Sequence, residues 1–140
     1  MNRKINRKCS LTIGILITIA FAALTSNAQT PKKITVGEMD LRKNAIKKVV
    51  PNFPPKALKA KASGVAVAQI NISEDGLVLD VQILESPHKS IDLAMIEALK
   101  QWKFYSFYLK GKPQKVTGKI TFYFVIENQR GGVESPFKDK

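Results

Sequence analysis

Asp75-Gly76 stands between two stretches in which apolar residues recur at every second position, and this arrangement leaves the chain few folds. Before it, in residues 64–73, Ala66, Ala68, Ile70 and Ile72 fall on one face, with Gln69 and Asn71 opposite. After it, in residues 77–85, Leu79, Val81 and Ile83 share a face while Asp80 and Gln82 point the other way. Alternation at period two marks strands of a sheet with one covered and one wet face. An Asp-Gly pair joins such strands as a type I′ hairpin, because both central residues of that turn need positive φ. The two strands are therefore antiparallel neighbours.

Further along, Ser90 is the expected N-cap of a helix, and Asp92 favours its positive end. Ile91, Met95, Ala98, Leu99 and Trp102 form a stripe at three- and four-residue spacing, a face meant for burial. Gly111 and Pro113 interrupt the chain before the longest strand, residues 116–128. There Ile120, Phe122, Phe124 and Ile126 lie on one side and Thr121, Tyr123 and Val125 on the other. A helical crossover returns the chain parallel to the second strand, so the third strand pairs antiparallel with the first. The expected fold is α+β: a three-stranded antiparallel sheet, β-β-α-β in the order 2-1-3, with one helix packed across one face. In that order the third strand is an edge, whose unpaired N–H and C=O groups can template another strand.

Ahead of the sheet, residues 34–36 suit a short strand. Leu41, Ala45 and Val49 recur at four-residue spacing in residues 38–49, a modest amphipathic helix signal. Pro51, Pro54 and Pro55 end it, and Pro55 fits the first turn of another short helix over residues 56–61. One or two short helices thus precede the sheet. Residues 29–52 are assigned as a linker with a short helix, 53–128 as the domain, and 129–140 as a flexible tail containing Gly131, Gly132 and Pro136.

Residues 1–28 form a separate object. Arg3, Lys4, Arg7 and Lys8 precede an apolar run over residues 11–24, and Ser26-Asn27-Ala28 offers small residues where a signal peptidase reads. The run is shorter than the roughly 20 residues a spanning helix needs. Cleavage after Ala28 and a periplasmic address are expected; the alternative is an inner-membrane anchor through residues 11–24. Cys9, the single cysteine, precedes the run and leaves with it. The whole chain carries a net charge of +12; removing those four cations from 23, against 11 acids, lowers it to +8. The cations are dispersed among acids, as on a solvated basic surface.

Catalytic chemistry finds no support. His88, the one histidine, lies in Ser86-Pro87-His88-Lys89-Ser90, without the orienting group and oxyanion hole of a nucleophilic site. Glu74, Asp75 and Asp80 are turn-region carboxylates without EF-hand spacing. Arg130-Gly131-Gly132 opens no helix and so cradles no phosphate. Trp102, Phe104, Tyr105, Phe107 and Tyr108 resemble a base-stacking cluster beside Lys103 and Lys110, but Trp102 continues a buried stripe, which favours a core role. The expectation is a chain that is not an enzyme, with no catalytic residues, metal, cofactor, small-molecule substrate or nucleic acid.

The order of these features resembles the C-terminal domain of the TonB family of energy transducers. Phe53-Pro54 with Ala57 stands where the family has a Tyr-Pro step and a small residue; Gly64 opens the first strand and Asp75-Gly76 forms the turn. Asp92, Ala94, Ala98, Trp102 and Phe104 fit the helix that closes on Trp-x-Phe, and Gly111 and Pro113 fit the Gly-x-Pro step before the last strand. Pro87-His88 and Ser106 depart from the family pattern. With 35 residues, 29–63, between the export segment and the first strand, the chain is expected to be a stand-alone domain of this type.

The resemblance implies a periplasmic protein-interaction module supporting transmembrane transport. Its partner is the periplasmic segment of a TonB-dependent outer-membrane receptor, bound by β-augmentation. The expected contact is the backbone from Ile120 through Phe122 and Phe124 to Ile126, flanked by Thr121, Tyr123 and Val125, with Lys119 supplying charge. The alternatives are a homodimeric envelope accessory or structural protein whose third-strand edges pair, and a basic surface that binds lipid or glycan.

Overall fold

The structure is a computed structural model describing residues 33–137. The export segment expected over residues 1–28 lies outside the described residues, as does the end of the expected tail. In chain order the elements are β1 (Ile34–Val36), α1 (Glu38–Lys43), β2 (Ala45–Lys47), α2 (Pro55–Lys59), β3 (Gly64–Ile72), β4 (Val78–Glu85), α3 (Lys89–Lys100), β5 (Lys103–Phe104), β6 (Phe107–Leu109), β7 (Lys112–Gln114), β8 (Val116–Glu127) and β9 (Arg130–Glu134).

The centre of the main sheet is the expected one. β3 pairs antiparallel with β4 on one side and with β8 on the other, the order 2-1-3. Two further strands extend it. β1 runs parallel to the start of β8, with Ile34, Thr35 and Val36 opposite Val116, Thr117 and Gly118. β9 runs antiparallel to its end, from Glu127↔Arg130 to Tyr123↔Glu134. The third strand is thus covered on both sides, and β4 is left at the far edge. Two short ribbons, β2–β5 and β6–β7, stand off the main sheet.

Local chemistry explains where the elements depart from expectation. The helix begun at Glu38 stops at Lys43 instead of running to residue 49, because the backbone beyond it finds partners in another segment. The Asn44 carbonyl accepts from the Tyr105 N–H at 3.0 Å, and Ala45 pairs with Phe104. The β3–β4 turn is a one-turn loop closed by a glycine, not type I′. Gly76 N–H donates to Ser73 and alone takes positive φ, at 82°, while Ser73 N–H donates to Leu77. The two-residue turns with both φ positive occur elsewhere, at Lys110-Gly111 between β6 and β7 and at Asn128-Gln129 between β8 and β9. His88, not Ser90, caps α3: its Nδ1 accepts from the Ser90 N–H at 3.1 Å. Residues 130–134, expected in a flexible tail, form β9.

α3 lies across the sheet and buries Ile91, Met95, Ala98 and Leu99 against Ala66, Ala68, Ile70 and Ile72 of β3 and Ile120, Phe122 and Phe124 of β8. Trp102 is 1% exposed and meets Phe122 edge-on, with ring centroids 6.3 Å apart; Phe104 lies beside it at 5.9 Å. The Trp102 indole N–H donates to the Val49 carbonyl at 2.8 Å, tying the segment after β2 to the core. Leu79, expected inside, is 58% exposed, because a β-bulge between Val78 and Asp80 sets Val78, not Leu79, opposite the buried Ile72. Trp102→Ala should remove both the aromatic packing and this hydrogen bond. It should cost about 3–5 kcal/mol in urea unfolding, the usual range for a large aromatic truncated in a core. An unchanged transition would contradict the anchoring role.

Candidate functional site

The outer side of β8 is where this architecture is most unusual. A twelve-residue strand has β3 along one side, while on the other three different partners follow one another. β1 covers residues 116–118 and β9 covers residues 123–127. The interval between them, residues 119–122, has no strand opposite it.

Side chains from α1 fill that interval. Glu38 accepts from the Thr121 N–H through Oε1 at 2.8 Å and from the Thr121 hydroxyl through Oε2 at 2.9 Å. Arg42 donates through Nη2 to the Thr121 carbonyl at 2.6 Å, and its Nε and Nη2 also hold Glu38 Oε1 at 3.0 and 2.9 Å. The pair therefore presents to Thr121 one acceptor and one donor, as a residue of a neighbouring strand does. A one-turn spacing places both groups on the same helix face. Leu41, fully buried, seats the helix over Gly118.

Arg42 is 5% exposed, so its charge is taken out of water. Three things offset that cost: the Glu38 carboxylate, the Thr121 carbonyl, and aromatic faces. The guanidinium carbon lies 5.1 Å from the Phe122 ring centroid, 5.8 Å from Trp102 and 5.9 Å from Phe137. Phe137 belongs to the segment that follows β9, so the C-terminal region closes over the same guanidinium. β9 is held in turn by Phe53, whose ring meets Phe124 edge-on at 5.6 Å and lies so close over Gly131 that a Cβ there would collide with it.

The expected contact residues separate cleanly by position. Ile120, Phe122 and Phe124 are buried in the core, so only their backbones could meet a partner. Tyr123, 38% exposed, and the half-buried Thr121 and Val125 lie on the other face, with Lys119 exposed beside them. Ile126 is half-buried near the β8–β9 turn. The Thr121 N–H points outward to Glu38, and N–H groups alternate sides along a strand, so those of Tyr123 and Val125 point outward too, toward β9. Sequence reasoning missed Glu38 and Arg42. Their i, i+4 spacing was visible, but nothing local reveals a partner about eighty residues away.

The comparisons with known proteins bear on this geometry. The family model described as Gram-negative bacterial TonB protein C-terminal matches residues 49–126, more than half of the chain. The chain belongs to the TonB C-terminal family. It is 28% identical over 71 residues to Protein TonB of Xanthomonas campestris pv. campestris (strain B100), covering 50% of this chain and 31% of that protein. It is 30% identical over 77 residues to Protein TonB of Yersinia enterocolitica, covering 54% of this chain and 30% of that one. The solution NMR structure of the Pseudomonas aeruginosa TonB CTD matches at a TM-score of 0.50 and 28% identity, over 61% of this chain and 88% of that chain. The chain thus spans about a third of the length of these TonB relatives, and the shared part is their C-terminal domain. The match begins at residue 49, so β1, α1 and β2, with the Glu38–Arg42 pair, lie ahead of the TonB-like region.

Arg42→Ala should leave the Thr121 carbonyl without its donor and the Glu38 carboxylate without its cation, held only by the Thr121 N–H and hydroxyl. A loss of roughly 3 kcal/mol is expected, because removing one member of a buried pair strands the other. Glu38→Gln, which keeps an acceptor, should cost less. Urea titration of both variants checks the order; a loss below about 1 kcal/mol for Arg42→Ala would mean that water serves these groups equally well.

Proposed function

We propose that this TonB-like domain is a protein-interaction module of the cell envelope. It captures an extended peptide, such as the periplasmic segment of a TonB-dependent outer-membrane receptor, by strand addition along residues 119–126 of β8, in support of transport across the membrane. Export through residues 1–28 belongs to the same reading. The observation that carries it is the nature of the cover on β8. A long central strand normally has a long partner on each side, whereas here one side is served by a three-residue strand, two side chains and a five-residue strand. Each is short, and β9 contains Gly131 and Gly132, which contribute no apolar side chain. An incoming strand replaces the β9 ladder bond for bond from Tyr123 on and displaces the Glu38–Arg42 pair from Thr121, so along β9 exchange costs little backbone hydrogen bonding.

Two substitutions should move affinity in opposite directions. Val125→Pro deletes an outward N–H and should abolish binding of receptor N-terminal peptides. Gly131→Val collides with Phe53, loosens β9 and should tighten binding, by about tenfold for each ~1.4 kcal/mol of cover removed. Isothermal titration on variants whose fold is confirmed by circular dichroism gives the answer. A folded Val125→Pro variant that binds like the parent would exclude strand addition here. Weaker binding in Gly131→Val would instead make β9 part of the binding surface. Self-association that rises with concentration and competes with no peptide would favour edge-paired dimers.

A further inference from the structure

Two stretches of the domain contain no acidic residue, 41–73 and 98–126, and together they carry thirteen cations. Besides the β3–β8 ladder, the fold joins them at the β2–β5 ribbon, where some of these cations stand. Lys47 of β2 stands opposite Lys103 of β5, and Asn44 and Tyr105 exchange two hydrogen bonds, Tyr105 N–H to the Asn44 carbonyl and Asn44 Nδ2 to the Tyr105 carbonyl at 3.1 Å. From this ribbon projects the β6–β7 hairpin, whose tip, Lys110-Gly111, lies between Leu109 and Lys112.

The hairpin is amphipathic in an unusual direction. Phe107 packs inward on Phe104, with ring centroids 6.2 Å apart, and fixes its root to the core. The adjacent Tyr108 and Leu109 are 68% and 51% exposed, and Tyr105 on the ribbon is 63% exposed. Tyr108 shares a shallow concavity with Lys43, which joins hairpin and ribbon into one surface. Asp40 lines the same concavity, and Glu74 and Asp75 occupy the β3–β4 turn, whose Gly76 carbonyl accepts from the Phe104 N–H. The exposed groups of the ribbon and hairpin themselves are chiefly lysines and tyrosines with a leucine beside the tip, and Asp40 stands at their margin.

We infer that this ribbon-and-hairpin surface docks on an anionic lipid bilayer, with Tyr108 and Leu109 entering the interface and Lys47, Lys103, Lys110 and Lys112 meeting lipid phosphates. A bilayer interface is the partner that uses all of these groups. Lysines are drawn to anionic head groups, tyrosine rings settle at head-group depth, and an apolar tip gains by leaving water. A glycan or nucleic acid polyanion neutralises the lysines but leaves Leu109 in water. The surface shares no residue with the outer edge of β8, so docking on lipid is a function separate from peptide capture.

The test uses residues 31–140, one compact unit whose buried core lies within residues 41–124, so that the apolar run at 11–24 does not itself enter lipid. Cosedimentation with vesicles of equal parts phosphatidylglycerol and phosphatidylcholine should show binding, and pure phosphatidylcholine little. The triple variant K103Q/K110Q/K112Q should lose roughly a hundredfold in partitioning, at about fivefold per lysine. The variant Y108S/L109S keeps every charge and should lose about tenfold. All five side chains are exposed, so thermal midpoints should stay at the parent value, and L109D supplies a second, repulsive probe of the tip. Equal partitioning of parent and Y108S/L109S would overturn the docking surface, leaving only diffuse attraction of a basic protein. Sedimentation with peptidoglycan but not with vesicles would overturn it in favour of a glycan site.

Discussion

The groups along the outer side of β8 set the terms for the rest of the molecule. A buried backbone N–H or C=O without a partner costs on the order of a hydrogen bond's full desolvation penalty. β8 presents a row of them beside a core built on Phe122 and Phe124. The chain before the TonB-like region supplies β1 and the Glu38–Arg42 pair, and the chain after it supplies β9 and Phe137. The flanking segments are thus ordered by the need of a single strand edge. Arg42 joins the two ends of the solution, since its guanidinium reaches Thr121, Trp102 and Phe137 together.

Much of this was legible in the sequence. The β3–β4 hairpin, the α3 stripe and the order 2-1-3 follow from periodicity and connectivity, because each depends on residues near one another. What escaped reading depended on distant partners. Residues 45–47 carry part of a helical pattern, yet β5, nearly sixty residues on, claims their backbone. Residues 130–134 look like a tail because of Gly131 and Gly132, although a glycine is what Phe53 requires beneath its ring. The turn lies at Asp75-Gly76 as the sequence indicates, but it is not type I′, because the glycine alone supplies the positive φ. The aromatic cluster divided: Trp102 and Phe104 entered the core, while Tyr105 and Tyr108 stayed at the surface.

Membership of the TonB C-terminal family accounts for residues 49–126. The two proposed functions use separate surfaces, both largely within that region. The edge of β8, with its short and exchangeable cover, suits an extended peptide; the β2–β5 ribbon and β6–β7 hairpin, basic and aromatic, suit an anionic lipid surface. Neither needs a catalytic group. The Glu38–Arg42 pair lies within the proposed capture site, because a strand added along residues 119–126 has to displace it from Thr121.

Amide hydrogen exchange along β8 tests the central claim most directly. If β9 is an exchangeable cover, the N–H groups of Tyr123 and Val125 should exchange through local opening, at a free energy below that of global unfolding. Those of Phe122 and Phe124, which face β3, should exchange only when the whole domain unfolds. Equal protection of the two sets would show β9 to be as firmly held as β3 and would contradict the account.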